Sequence, residues 1–209
     1  MIIAVDGPAA SGKGTIARAL AQYYGLPHMD TGSLYRAVGL AVLRAGADPA
    51  NADSAAECAR NFDTALLDDP MLRDAATARA ASVVSAYPAV RAALLDRQRA
   101  FAGQPAGAVL DGRDIGTVIA PSADVKIFVT AGLDVRARRR QAETPSRTLA
   151  DVAANLAERD ARDAGRDTAP MKCADDAIVL DTSVLDRDAA IAAAIRLAEA
   201  RLAGKMTLR

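Results

Sequence analysis

The chain has 209 residues, 26 basic side chains against 26 acidic, and 3% aromatic residues with no tryptophan, a length that suits one compact domain with a small inserted or mobile subdomain. Zero net charge and scarce aromatic rings exclude an electrostatic footprint for DNA or RNA and a stacking platform for single strands, and give no support to an anionic-membrane partner. Cys58 and Cys173 lie far apart without a CxxC, His28 stands alone, no run nears the ~20 apolar residues of a membrane span, and the N-terminus lacks a basic leader; disulfide scaffolds, zinc ribbons, HExxH sites and secretion are excluded, and a cytoplasmic globular chain is expected.

Ile2 to Asp6 is a short apolar run ended by Gly7-Pro8, which reads as a buried strand entering a loop. Residues 13–24 carry helical spacing with Ile16, Leu20 and Tyr23 on one stripe, and Gly25 is placed to stop that helix. Leu26 to Met29 predicts a second short strand. Thr31-Gly32-Ser33 opens a helix over 33–45 with Leu34, Val38, Val42 and Leu43 facing inward. From Gly46 to Phe101 the pattern is alanine-rich and helical, punctuated at Pro49, Pro70 and Pro88, with no convincing strand. Strands follow at Ala108 to Asp111, Val125 to Val129 and Ala177 to Leu180. Helices are expected near 134–142, from Thr148 to about Arg162, and over 186–203. Five short apolar runs separated by helices mean an α/β fold with a parallel sheet, whose ligands bind beyond the carboxyl ends of the strands.

Gly7-Pro8-Ala9-Ala10-Ser11-Gly12-Lys13-Gly14-Thr15 holds G-x-x-x-x-G-K between a predicted strand and a predicted helix. Gly7 and Gly12 let the backbone curl so that successive N–H groups converge on one anion, and the helix N-terminus points its positive dipole end at the same place. Lys13 can reach the β- and γ-phosphates of a bound nucleotide as a point charge. The hydroxyl that usually follows the lysine is displaced by Gly14 to Thr15, which weakens the case for a direct Thr15–Mg²⁺ bond. Asp111, closing a strand beside the loop, suits a carboxylate that orients Mg²⁺ through water. His28 reads as a structural or surface residue.

The G-K-G-T variant resembles the nucleoside monophosphate kinases. Met29 to Arg36, Ala80-Ala81-Ser82, Pro88 to Arg91 with Arg97-Gln98-Arg99, Asp111 to Thr117 and Glu158 to Arg166 make most of the chain resemble the bacterial cytidylate kinases. The resemblance implies a three-layer P-loop kinase with a five-stranded parallel sheet, a mobile lid and an acceptor-binding helical insertion. Its parts would be a core of about 1–33, 103–142 and 175–209, an acceptor region of about 34–102, and a lid of about 158–172. It implies ATP with Mg²⁺ as phosphoryl donor, CMP or dCMP as acceptor, and action as a monomer.

By the same resemblance, Thr31 and Asp114 face the cytosine amine while Arg91 and Arg166 face N3 and O2. Acceptors opposite the amine and donors opposite the ring acceptors match the base. Arg36 and Arg113 would clamp the acceptor phosphate, as a planar guanidinium fork allows. Ser82, Arg159 and Asp163 would contact ribose, although Asp163 could equally be a surface partner of Arg159. Arg162 and Arg166 would stabilise the phosphoryl group in flight. Most of the cluster Arg136 and Arg138-Arg139-Arg140 is expected to face solvent, with Arg136 or Arg140 able to reach the site. No general base is needed, because the attacking phosphate oxygen is already ionised. A P-loop kinase for another acceptor (UMP, AMP or a sugar acid) and a non-catalytic nucleotide switch are the alternatives. The interval between Arg36 and Ser82, short for this family, implies a smaller, more helical acceptor subdomain.

Overall fold

A computed structural model describes residues 1–143 and 147–207, and the chain divides into two compact units, Met1–Met29 with Phe101–Arg209, and Asp30–Ala100. The first is built on a five-stranded sheet in the order β2-β3-β1-β4-β5, from β1 (Ile2–Asp6), β2 (His28–Asp30), β3 (Ala108–Gly112), β4 (Val125–Thr130) and β5 (Ile178–Asp181). The β1–β3, β1–β4 and β4–β5 pairs are parallel. The central strands are apolar almost throughout because both faces are covered, as a parallel sheet with crossover helices demands. Ile3 lies opposite Val109 on one side and Val125 on the other. These residues, with Val5, Ile127, Val129 and Leu180, pack against Ile16 and Leu20 of α1 (Lys13–Tyr24) and Ala190, Ala194 and Ala198 of α8 (Arg187–Thr207).

The chain reverses its winding at β1, with β3 and β4 on either side, and sheets of this kind bind ligands beyond the strand ends at such a point. The phosphate loop leaves β1 at that point. Helix α1 stops where expected: Gly25 is left-handed (φ 64°), its N–H reaches the Gln22 carbonyl and the Leu26 N–H reaches that of Ala21, the paired bonds of a Schellman ending. Its inward arc is Ile16, Ala17, Leu20 and Ala21, with Tyr24 packed beside it. Tyr23 is exposed and donates to Glu199 (2.6 Å), so the expected stripe is corrected by one position. Helices α6 (Leu133–Glu143) and α7 (Leu149–Ala164) complete this unit's functional end.

The second unit is helical. It holds α2 (Thr31–Arg44), α3 (Ala52–Arg60), two 3₁₀ turns, α4 (Ala75–Val84) and most of α5 (Pro88–Ala102). Asn51, Asp63 and Asp69 cap successive starts by accepting a backbone N–H each. Helix α2 begins at Thr31, two residues earlier than expected, and buries Leu34, Val38 and Val42. Leu43, expected inside, is exposed. Helices α2 and α4 approach so closely that a Cβ on Gly39 would lie 2.7 Å from the Ala81 backbone nitrogen; glycine is what permits that crossing.

Candidate active site

The phosphate loop runs from Gly7 to Gly12 with three left-handed residues, Gly7 (φ 148°), Ala10 (φ 60°) and Gly12 (φ 90°). A Cβ on Gly7 would sit 2.0 Å from the Val129 carbonyl oxygen of β4, so the loop leaves the sheet too tightly for any side chain. Ala10 was not marked by its sequence as left-handed, a conformation that costs an alanine about 1 kcal/mol or more. The Gly12 carbonyl accepts from Thr15 and Ile16 (both 3.1 Å). Glycine offers no side-chain cap at the start of α1, and the positive dipole end of a helix favours an anion there.

In such a loop the N–H groups turn inward and carbonyls turn outward, where they need donors of their own. Thr182 Oγ1 shares its one proton between Ser11 O and Thr130 O (both 3.1 Å) and accepts from Arg139 Nη1 (3.0 Å). Arg136 Nη1 donates to Ala9 O (3.2 Å) and to Asp160 Oδ2 of α7 (2.6 Å), while its Nε reaches Ala131 O (2.9 Å). Arg136 is therefore buried, unlike Arg138, which is exposed and pairs with Asp134. Arg140 pairs with Glu143 (2.7 Å). Ala9 itself packs among Ala137 of α6 and Val152 and Leu156 of α7.

Asp6 ends β1, and its two carboxylate oxygens accept from Ile115 and Gly116 N–H (2.8 Å each), fixing the backbone that follows Asp114. Burial pushes its pKa up to about 6 against the two backbone hydrogen bonds, which lower it. Asp114 is buried, and its carbonyl starts a single π-turn over Ile115–Ile119. This turn and the supporting role of Asp6 were missed, since the partners lie more than a hundred residues apart and leave no local pattern.

Asp111 is buried at the end of β3 and accepts from His28 Nε2 (2.8 Å). A carboxylate only accepts, so that nitrogen carries the proton, and His28 serves as a support, as expected. The second Asp111 oxygen lies 3.5 Å from where a Cβ on Gly14 would stand, and Thr15 is half-buried in the same first turn. Among the described residues no group of three His, Cys, Asp or Glu side chains could hold a metal. Magnesium held by phosphates and water with one or two protein oxygens needs no such group, so this donor set fits it.

The expected lid residues form an ion cluster. Asp163 is buried and accepts from Arg113 Nε (2.8 Å) and from Arg166 Nη2. It is therefore not the surface partner of Arg159 that the i, i+4 spacing allowed. Burial alone would raise its pKa, but the charges of Arg113 and Arg166 outweigh this and hold the carboxyl below its ordinary 3.8. Arg162 pairs with Glu158 across one turn of α7. That helix ends at Ala164, so Arg166 turns back from beyond its end rather than continuing the helical arginine row. Arg159 is half-buried one residue before Asp160.

In the helical unit, Thr31 is buried at the start of α2, and Arg36 Nη1 donates to Leu72 O (3.3 Å). Arg91 is buried over the Tyr35 ring (5.4 Å to its centre) and donates to Ser85 O (3.3 Å). Ser82 is buried on α4. Tyr35, whose ring lies under Arg91, belongs to the Asp30–Arg36 motif, but sequence reasoning assigned it no role.

A family model for cytidylate kinase matches residues 3–200. The chain belongs to the cytidylate kinase family. Among curated cytidylate kinases, that of Xanthobacter autotrophicus (strain ATCC BAA-1158 / Py2) is 57% identical, covering 98% of this chain and 100% of its own. The cytidylate kinase of Bradyrhizobium sp. (strain ORS 278) is 56% identical over 98% of this chain and 99% of its own. A crystal structure of an uncharacterized protein from Eubacterium ventriosum ATCC 27560 superposes with a TM-score of 0.56 at 17% identity, covering 96% of this chain and 98% of that one, a likeness of fold alone. The cytidylate kinase match spans both units, including the phosphate loop and the Asp111–Thr117 segment.

Proposed function

We propose that this protein transfers the γ-phosphoryl group of ATP to CMP and dCMP, giving ADP with CDP or dCDP. The observation that carries the reading is the cytidylate kinase match over residues 3–200. It is supported by a phosphate loop whose helix N-terminus has no side-chain cap of its own.

Gly7, Pro8, Ala9, Ala10, Ser11, Gly12, Lys13, Gly14 and Thr15 hold the ATP phosphates, chiefly through backbone N–H groups and the Lys13 ammonium. An ionised oxygen of the CMP phosphate attacks the γ-phosphorus in line as the bond to the β–γ bridging oxygen breaks and ADP departs. No proton need be removed first, so the protein contributes positioning and charge stabilisation. Asp111, and Thr15 through water, would hold Mg²⁺, which would supply positive charge against the phosphates. Arg36 and Arg113 take the acceptor phosphate; Ser82, Arg159 and Asp163 take the ribose; Thr31, Asp114, Arg91 and Arg166 take the cytosine edge. The segment 158–172 acts as a lid that brings Arg162 and Arg166 to the transferring group and excludes water. Ionised Asp163 holds Arg113 and Arg166 in place until substrate oxygens compete for them.

Among the described residues no helix is long and apolar enough to cross a membrane, and Cys58 and Cys173 are not bridged; action as a monomer in the cytoplasm belongs to the proposed reading. Two substitutions test the reading. Lys13→Ala should abolish turnover while circular dichroism is unchanged, and wild-type rates from it would refute the loop assignment. Asp114→Ala should cost ~10- to 100-fold in preference for CMP over UMP, the worth of one charged hydrogen bond. Unchanged preference would move the reading to a kinase for another acceptor.

A further inference from the structure

Arg136 hydrogen-bonds both the phosphate loop and helix α7. Its guanidinium donates to the Ala9 carbonyl of the loop and to Asp160 on α7, and its Nε is fixed on Ala131 O. The side chain is only 9% exposed, so these bonds form where water does not compete well. Asp160 directs one oxygen to Arg136, and its other oxygen is buried with no hydrogen-bond partner. A carboxylate held that way is costly, and Arg136 is what compensates its charge. Asp160 lies between Arg159 and Arg162 on the helix proposed to deliver the lid arginines.

We infer that Arg136 is a positioning residue for phosphoryl transfer, setting the register between the phosphate loop and the lid helix through Ala9 O and Asp160. The inference rests on the reading of Gly7–Thr15 as the ATP-phosphate site. Turning the Ala9 carbonyl outward presents the neighbouring N–H groups inward, and anchoring Asp160 to the same guanidinium fixes where α7 stands relative to them. The planar fork matters here. A lysine ammonium carries the same charge but has neither the reach nor the fixed directions to serve Ala131 O, Ala9 O and Asp160 together. The role is one of geometry, so its loss should appear in the use of ATP and in turnover, not in acceptor binding.

The experiment compares wild type, Arg136→Lys, Asp160→Asn, the double variant and Lys13→Ala in steady-state assays with Mg-ATP and CMP, alongside thermal unfolding. Arg136→Lys should lower kcat/KM for ATP by about 100-fold, the scale of an ångström-sized misplacement, with KM for CMP changed less than threefold. Asp160→Asn should lower it about 10-fold. The double variant should be no worse than Arg136→Lys, because both substitutions break one link. Losses that multiply in the double variant, a loss confined to KM for CMP, or wild-type kcat/KM for ATP in Arg136→Lys would each overturn the inference. Should Arg136→Lys fail to fold, Asp160→Asn, which keeps side-chain volume, carries the test on its own: wild-type kcat/KM for ATP there overturns the link. An active Lys13→Ala would overturn the phosphate-site reading and this inference with it. An inactive Lys13→Ala beside a wild-type-like Arg136→Lys would overturn the inference alone.

Discussion

Replacing Asp163 by asparagine removes the negative charge between Arg113 and Arg166 while nearly keeping the side chain's shape. The Asp163 side chain is 6% exposed, that of Arg166 5% and that of Arg113 15%, so solvent screens the cluster poorly. Breaking a buried pair by removing one partner costs about 3–5 kcal/mol, and the asparagine oxygen retains one neutral hydrogen bond worth about 1 kcal/mol. A loss of about 2–4 kcal/mol near neutral pH is expected. The pH dependence identifies the cause. Because the arginines hold the Asp163 carboxyl below 3.8, its contribution is present in full above that value and disappears as pH falls through the lowered folded-state pKa. Urea denaturation of wild type and Asp163→Asn at steps from pH 7 to pH 3.5 should therefore show a constant gap down to about pH 5 that begins to close near pH 4. A gap below about 0.5 kcal/mol at neutral pH, or one that widens on acidification, would refute the argument that this ion cluster stabilises the fold.

Asp6 should behave in the opposite sense. Its folded-state pKa of about 6 against 3.8 means that protonated Asp6 favours folding, a contribution complete below 3.8 and lost as pH rises through 6. Relative to Asp6→Asn, the wild type should gain up to roughly 3 kcal/mol between pH 7 and pH 4, read from paired denaturation curves; a flat difference would place the pKa elsewhere. Gly7→Ala should destabilise the fold by about 3 kcal/mol or more and abolish ATP binding measured by calorimetry, since its Cβ would overlap Val129 O at 2.0 Å; tight ATP binding by a folded variant would contradict the loop geometry. Gly39→Ala gains about 1 kcal/mol of helix propensity but forces a Cβ to 2.7 Å from Ala81 N, so a net loss of about 1–2 kcal/mol in chemical denaturation is expected. A net gain would mean that α2 and α4 separate freely.

The phosphate loop was legible because its signals are local: an apolar strand, two glycines at fixed spacing and the start of a helix. Gly25 was legible for the same reason. Helix faces were less so. In α1 the inward arc is centred between Ala17 and Leu20, which leaves Tyr23 at its edge and exposed. In α2, Leu43 falls half a turn from Leu34, outside the buried stripe. Most of Arg136 and Arg138-Arg139-Arg140 read as facing solvent, with Arg136 or Arg140 able to reach the site; of these arginines Arg136 is buried, held by Ala9 and Asp160. Asp163 read equally as a ribose contact or as a surface partner of Arg159, and Arg113, fifty residues away, is what draws it inside. Ala10 gives no compositional hint of its left-handed backbone. For Arg136 and Asp163 the deciding partner is distant in sequence, where periodicity and spacing carry no information.

The central claim concerns which nucleotide accepts the phosphoryl group. The most direct measurement is kcat/KM for CMP, dCMP, UMP, AMP and GMP at saturating Mg-ATP, with ADP release coupled to a spectrophotometric readout. CMP and dCMP should lead UMP by ~10-fold or more, and the purine nucleotides should be negligible. Equal use of UMP, or a purine preferred over CMP, would contradict the assignment of Asp114, Thr31, Arg91 and Arg166 to the cytosine edge.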